Sequence, residues 1–257
     1  TEAARRSVLS KMTTIAQLLE QPESQIKNDR LAEAIDLLWQ TDELRLGRPD
    51  PLDEAVNSIY YLDELLLETV PEVLAEFVNE IKKLGINLSL KARPLRFGTW
   101  IGGDRDGNPN ITSEVTKAAI LLQNSHFTRS LFSHLDELRQ ALSISTKLAG
   151  VSKELEISVA KDLENLPEIE ARYRRINVEE PYRLKATAIR HKLSLTQSRH
   201  ASGLPHFPGR DYKDTAELLQ DFNIMRTSLL ENNGQLIANG LLDRIMRSIS
   251  AFGLTHA

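Results

Sequence analysis

A glycine-rich polar segment near the middle of the chain holds residue types that could carry chemistry. It covers residues 97–110 and reads Phe-Gly-Thr-Trp-Ile-Gly-Gly-Asp-Arg-Asp-Gly-Asn-Pro-Asn. The paired glycines Gly102 and Gly103 would let the backbone approach a ligand closely, or turn consecutive N–H groups toward an anion. Arg105 adds a permanent, forked positive charge suited to a carboxylate or a phosphate, and the aspartates on either side could fix its orientation. The segment therefore predicts an anion-binding loop.

Two other interpretations of this segment compete with anion binding. Clusters of Gly, Asp and Asn most often mark a solvated structural turn, so a turn without a ligand remains an alternative. A calcium site is the second, because Asp104, Asp106 and Asn108 alternate as they do in an EF-hand loop. That loop needs glycine at its sixth position and glutamate at its twelfth, where this chain has Pro109 and Val115. The EF-hand interpretation is therefore rejected.

Helix signals flank the loop and recur through most of the chain. Thr112 is placed to cap a helix that begins directly after the loop, where the helix dipole favours anions. Apolar residues recur at helical spacing over much of the rest of the sequence. Further helix boundaries are predicted at Asp50-Pro51-Leu52-Asp53, where Asp50 caps a new helix, and at Pro71 and Gly85, which bound the next.

Composition sets the expected fold class and excludes several functions. The chain has 257 residues, of which 41% are hydrophobic and 26% are charged, enough for one large core or two modest domains. No cysteine is present, which excludes disulfides and thiolate sites, and a net charge of −4 argues against broad binding to nucleic acid. No apolar run approaches the roughly 20 residues that a membrane span requires. We predict one mainly α unit over residues 1–257, cytoplasmic, with one or two short strands, one of them at 95–100.

Histidines and arginines in the second half of the chain give weaker signals. The spacing of His191, His200 and His206 matches neither a helical zinc pair nor a zinc finger, so no metal role is predicted for them. A basic stretch over residues 172–190 is interrupted by glutamates, and it favours a solvated or interdomain face over a nucleic-acid site.

The loop resembles the glycine-rich signature of bacterial and plant-type phosphoenolpyruvate carboxylases, and residues 97–109 carry that likeness. Shorter segments resemble other motifs of the family in the same order along the chain. They are Thr1-Glu2-Ala3-Ala4-Arg5-Arg6-Ser7, Trp39-Gln40-Thr41-Asp42-Glu43-Leu44-Arg45, Glu180-Pro181-Tyr182-Arg183 and Phe252-Gly253-Leu254. The resemblance therefore spans the whole chain.

The resemblance implies a fold, a reaction and partners. The family joins phosphoenolpyruvate to bicarbonate with Mg²⁺ or Mn²⁺, giving oxaloacetate and phosphate. Its fold is a helix-rich (β/α)8 TIM barrel, so this chain would supply a mainly helical part of the N-terminal half. The implied partners are both substrates, the remainder of the same polypeptide and further copies in a tetramer, with no nucleic acid and no membrane.

The same resemblance assigns roles to residues of the loop and of the first segment. Arg105 would belong to the charge-handling catalytic set, and Trp100 would help to shape the bicarbonate or substrate pocket. Arg5 and Arg6 match positions that help to bind a sugar-phosphate activator in plant-type relatives. The residues that would shape the loop are Gly102, Gly103, Asp104, Asp106 and Asn108.

Several parts of the family's active site are expected to lie outside this sequence. The family's essential histidine stands two residues before the position of Thr1, and its metal-binding carboxylates, substrate-binding lysine and mobile loop would follow Ala257. This chain alone is therefore expected to be inactive. Two alternatives stay open, namely a non-catalytic anion-binding module for regulation or assembly, and a structural helical scaffold whose loop is a turn.

Overall fold

The computed structural model describes residues 6–42, 50–65, 69–89 and 92–254. Its α-helices are α1 (Arg6–Leu19), α2 (Gln25–Trp39), α3 (Pro51–Glu64), α4 (Val70–Lys83), α5 (Ser113–Ala141), α6 (Lys153–Asn165), α7 (Ala171–Ile176), α8 (Pro181–Ser202), α9 (Thr215–Glu231), α10 (Gln235–Ile237) and α11 (Asp243–Phe252). A π-helical turn, Ala238–Leu242, joins α10 to α11. The prediction of a mainly α fold is therefore confirmed.

The short strand expected at residues 95–100 is absent. These residues are irregular, and the β-type pairing in the described ranges is one isolated bridge between Pro208 and Asp211. A run of apolar residues becomes a strand only when a neighbouring strand accepts its backbone hydrogen bonds. Within the part of the chain that is described, residues 95–100 have no such neighbour, and Phe97 is held by a ring contact instead.

The predicted helix boundaries are confirmed, and local hydrogen bonds explain them. At the start of α3, Asp53 N donates to Asp50 Oδ1 at 2.8 Å, and Asp50 N donates to Asp53 Oδ2 at 3.2 Å. This reciprocal pair satisfies two N–H groups that have no partner inside the helix. Helix α4 carries Pro71 in its first turn and ends shortly before Gly85, whose φ of +79° suits glycine.

The chain folds into two compact units, Thr1–Asn57 and Ser58–Ala257, where the sequence analysis expected one helical unit. In the first unit α1 packs on α2, and Val8, Leu18 and Ala34 are buried. Periodicity shows which face of a helix is apolar but not which helix covers it. The apolar periodicity of the sequence therefore did not indicate that the chain divides into two units.

The core of the second unit is built around α5 and α8, which pack along each other, with α6 and α9 against α8 and with α11 against α4 and α9. Apolar side chains from these helices form one continuous buried cluster, which includes Phe127, Leu131, Leu135, Leu138, Ile189, Leu193, Phe222, Met225 and Ile249. This cluster gives α5 a fixed position, and the glycine-rich loop leads directly into α5. None of the helices in the described ranges has the length and apolarity needed to cross a bilayer.

Four charged side chains are buried together between α6, α8 and α9. The ammonium group of Lys185 donates to Asp162 Oδ2 at 2.7 Å and to Asp221 Oδ1 at 2.6 Å. Lys192 contacts the other oxygen of each carboxylate, at 2.5 Å for Asp162 and 3.0 Å for Asp221. The hydroxyl of Tyr212 donates to Asp221 Oδ2 at 2.7 Å. Because buried charges are costly unless paired, this network ties three helices into one arrangement.

Candidate active-site loop

The glycine-rich loop begins at a ring contact with the last helix. Phe97 stacks on Phe252 of α11, with ring centroids 4.5 Å apart and an angle of 3° between the rings. Helix α11 is followed by Leu254, whose carbonyl accepts a short hydrogen bond from Asn124 of α5 and whose N–H donates to Thr215 Oγ1 at 3.1 Å. The start of the loop is therefore attached to the core through α11.

Gly102 is a buried member of the loop and lies against α5. Its φ is +78°, a conformation that side chains with a Cβ rarely adopt. A Cβ built at this position would lie 2.7 Å from the Cβ of Ala119, far closer than two methyl groups can approach. The glycine is required here by backbone conformation and helix contact, whereas the sequence analysis linked it to the approach of a ligand.

Several backbone N–H groups of the loop donate to other groups of the loop itself. The N–H groups of Gly103 and Asp104 both donate to the carbonyl of Trp100, at 3.0 and 2.8 Å. Further along, Asn108 N donates to the carbonyl of Arg105 at 2.7 Å. Side chains close further turns, since Asp104 Oδ1 accepts from Asp106 N at 3.3 Å. The expectation that consecutive N–H groups at the paired glycines face an anion is therefore wrong for Gly103.

The helix N-terminus behind the loop is also capped by the chain's own groups. Thr112 Oγ1 accepts from Val115 N at 3.4 Å, which confirms the predicted cap. A hydrogen bond from its own backbone N–H, helped by the Thr112 and Ser113 hydroxyls and the charge of Arg105, lowers the pKa of Glu114. A carboxylate of the chain thus already occupies the positive end of α5. Within residues 97–110, the positively charged group that could face an anion is the guanidinium group of Arg105.

Arg105 and Trp100 are both exposed on this loop. The side chain of Trp100 is 72% exposed, which is unusual for so large an apolar residue. The guanidinium group of Arg105 forms no hydrogen bond or ion pair with any described residue, including the flanking Asp104 and Asp106. A charged fork and an indole are thus presented to solvent on a backbone that is anchored at both ends.

The other groups considered in the sequence either have partners outside this loop or lie outside the described residues. Arg5 and the side chain of Arg6 are not among the described parts of the chain. His206 contacts Asp211 through Nδ1, and His191 Nε2 lies 3.4 Å from Glu168 Oε1. Within the described ranges, no group of three or more His, Asp or Glu residues is arranged to hold a metal ion.

The arginines of the basic stretch mostly hold the fold together. Arg174 donates to the carbonyls of Leu166 and Ile169, at 2.6 and 3.0 Å. Arg183 donates to the carbonyl of Arg139 at 3.0 Å and pairs with Glu180, and Arg190 pairs with Asp136 and lies over the ring of Phe132. These three side chains are therefore engaged within the chain.

A cleft of about 550 Å³ between α6 and α9 has no counterpart in the sequence analysis. Its wall includes Asp162, Lys192 and Asp221 of the buried charge network. No local pattern announces this cleft, because its polar residues come from three helices far apart in the chain. These carboxylates and ammonium groups already neutralise one another, so we assign the cleft no ligand.

Comparison with known proteins places the loop in a family. The family model described as phosphoenolpyruvate carboxylase matches residues 1–257. The phosphoenolpyruvate carboxylase of Roseiflexus castenholzii is 35% identical over 271 residues, covering 100% of this chain and 29% of its own length. That of Bradyrhizobium diazoefficiens is 31% identical, covering 98% of this chain and 28% of its own length. The C4 phosphoenolpyruvate carboxylase of Flaveria trinervia is 31% identical over 273 residues, and 28% of it is covered. The chain thus spans less than a third of these relatives, and it belongs to the phosphoenolpyruvate carboxylase family.

Proposed function

We propose that the complete protein that contains this chain is a phosphoenolpyruvate carboxylase, which converts phosphoenolpyruvate and bicarbonate into oxaloacetate and phosphate. The observation that carries the proposal is the match of all 257 residues to the family, with the glycine-rich loop intact within it. The exposure of Arg105 and Trp100 on an anchored loop supports it, because a solvent-facing arginine and indole have no evident role in packing.

The proposed reaction makes specific demands on Arg105 and Trp100. An oxygen of bicarbonate attacks phosphorus and the bond from phosphorus to the enol oxygen breaks, giving carboxyphosphate and an enolate. Carboxyphosphate then splits into phosphate and CO₂, and the enolate carbon adds to that CO₂ to give oxaloacetate. The guanidinium group of Arg105 would stabilise negative charge on the reacting groups. The indole of Trp100 would form an apolar wall that keeps water from protonating the enolate.

The described residues do not fit a metal site, although the family uses Mg²⁺ or Mn²⁺. In this part of the chain no group of three His, Asp or Glu side chains is arranged around a common point. Asp104 and Asn108 instead accept hydrogen bonds from Asp106 N and Asn110 N within the loop's own turns. We therefore propose that the metal ligands belong to the remainder of the polypeptide, and no step above is assigned to a metal.

The wider properties of the complete protein are part of the same proposal. It would be a cytoplasmic lyase with a (β/α)8 barrel that fixes carbon to replenish oxaloacetate for the tricarboxylic acid cycle. It would assemble as a homotetramer and would respond to a sugar phosphate through Arg5 and Arg6. Mass photometry of the complete protein tests the tetramer. Activation by a sugar phosphate, lost in Arg5→Ala, tests the allosteric site.

Oxaloacetate formation by the complete protein is the direct test of the activity. The assay couples oxaloacetate to NADH oxidation through malate dehydrogenase and measures phosphate release in parallel. The expected result is one phosphate for each oxaloacetate, with a rate that requires phosphoenolpyruvate, bicarbonate and a divalent cation. Phosphate release that does not depend on bicarbonate, or no oxaloacetate at all, would contradict the proposal.

One observation favours a second candidate, a structural scaffold. The contact of Gly102 with α5 and the hydrogen bonds that the N–H groups of Gly103, Asp104 and Asn108 make within the loop would suit a turn without a ligand. A regulatory anion-binding module is the remaining alternative, because it would need Arg105 to bind an anion but would catalyse no reaction. Calorimetric titration of the complete protein with phosphoenolpyruvate separates them, since a scaffold gives no binding and a module gives binding without turnover.

A further inference from the structure

The loop that carries Trp100 and Arg105 is held at three points, all within the second unit. Its start is held by the stack of Phe97 on Phe252, and its end by the Thr112 cap of α5. The point between these two is the contact of Gly102 with Ala119. Gly102 lies between Trp100 and Arg105 in sequence, so this contact is the one nearest to both side chains.

The partner of Gly102 belongs to a firmly seated part of α5. Ala119 is 2% exposed. Shortly after it in the same helix, Asn124 binds the carbonyl of Leu254, and Ser125 accepts a hydrogen bond from Gln197 of α8 at 3.1 Å. The core cluster holds the helix from Phe127 onward. Any added volume at position 119 must therefore be relieved by the loop, which is exposed, rather than by the helix.

We infer that Ala119 is a positioning residue, whose small side chain sets how closely the loop lies on α5 and hence where Trp100 and Arg105 stand. This inference rests on the proposed function. The contact has no free space, since a Cβ at Gly102 would already lie 2.7 Å from the Ala119 methyl group. A valine at position 119 adds two carbons that project about 1.5 Å beyond Cβ. It therefore displaces Gly102 and, with it, Trp100 and Arg105, which stand two residues before and three residues after Gly102.

The size of the effect follows from the tolerance of catalytic geometry. A displacement of about 1 Å at a reacting group can cost about 10²-fold in rate. Ala119→Val in the complete protein is therefore expected to lower kcat/KM by at least tenfold. It should lower kcat and also raise the KM for phosphoenolpyruvate, because Trp100 and Arg105 move together. A simple loss of folded protein would lower the apparent kcat and leave KM unchanged.

Two control variants separate positioning from a loss of stability. Ala118→Val makes the same change at the next residue of α5, which is only half-buried and does not face Gly102. Ala118→Gly weakens the helix at that neighbouring position and leaves the contact of Ala119 with Gly102 unchanged. Both variants are expected to keep kcat/KM within about threefold of wild type. Hydrogen exchange measured by mass spectrometry should rise in peptides covering 97–110 for Ala119→Val alone, and stay unchanged in α9.

The outcomes decide between the alternatives. The inference is overturned if Ala119→Val leaves kcat/KM within threefold of wild type, or if either control loses as much activity. It is also overturned if hydrogen exchange rises equally in α5, α9 and the loop, which would indicate general destabilisation. If the wild-type protein forms no oxaloacetate, the proposed function fails, and hydrogen exchange alone then decides whether Ala119 positions the loop.

Discussion

Removal of the Arg105 side chain is expected to abolish most activity while leaving the fold intact. The guanidinium group forms no hydrogen bond or ion pair with a described residue, and the hydrogen bond from Asn108 N is made to the backbone carbonyl of Arg105, which alanine retains. Arg105→Ala should therefore behave as a surface substitution, changing the free energy of unfolding by less than about 0.5 kcal/mol. The melting temperature should stay within about 2 °C of wild type.

The catalytic activity of Arg105→Ala, in contrast, should fall strongly. Losing a charge-assisted contact that forms in the transition state typically costs about 2.7–4 kcal/mol, which is roughly 10²–10³ in rate. Arg105→Lys should recover only part of this loss, because an ammonium group cannot reproduce the planar fork of arginine. Steady-state kinetics of oxaloacetate formation and thermal unfolding are measured on the same preparations of the complete protein.

Arg96→Ala supplies the matched control, because Arg96 is an exposed arginine just before the same loop. It should leave both kcat/KM and melting temperature close to wild type. An unchanged kcat/KM for Arg105→Ala would refute the assignment of Arg105 to charge stabilisation. A loss of activity that merely follows a fall in melting temperature would show that Arg105 is structural.

Three other predictions concern the buried charge network and the isolated chain. Asp221→Asn removes one of the two carboxylates shared by Lys185 and Lys192, and it should destabilise the protein by about 3–5 kcal/mol in urea unfolding. The exposed Glu164→Gln should cost less than about 0.5 kcal/mol, and an equal cost for both would contradict this reasoning. Burial would raise the pKa of Asp221, but the charges of Lys185 and Lys192 outweigh it and lower the pKa below its usual value of 3.8. The stability that the ionised Asp221 carboxylate contributes is therefore present above about pH 4 and is lost as the pH falls through the lowered pKa. Lowering the pH from about 5 should therefore destabilise Asp221→Asn less than it destabilises wild type. If the free energies of unfolding of wild type and Asp221→Asn changed equally with pH, this expectation would be wrong. The 257-residue chain by itself should form no oxaloacetate, because it spans 28–29% of its relatives and its described residues hold no metal cluster. Bicarbonate-dependent turnover by the purified chain would show this expectation to be wrong.

Short-range features of the fold could be predicted from the sequence because they depend on groups a few residues apart. The cap at Asp50, the cap at Thr112 and the stop at Gly85 all involve partners within about one helical turn. The motif over residues 97–109 likewise identified the family, since its residues are contiguous in sequence. The position of Arg105 in a glycine-rich turn just before a capped helix likewise required no knowledge of distant parts of the chain.

Long-range contacts decided what the sequence could not. Gly102 was interpreted as a ligand-facing glycine, but its conformation and its contact with Ala119 reveal a packing role. Residues 95–100 have the apolar character of a strand, yet no described neighbour accepts their hydrogen bonds. The pairing of Lys185 with Asp221 and Asp162 left no local pattern, because its members stand on three different helices. Periodicity and caps act within one element, whereas these contacts arise only when separate elements pack, and so only the tertiary structure determines them.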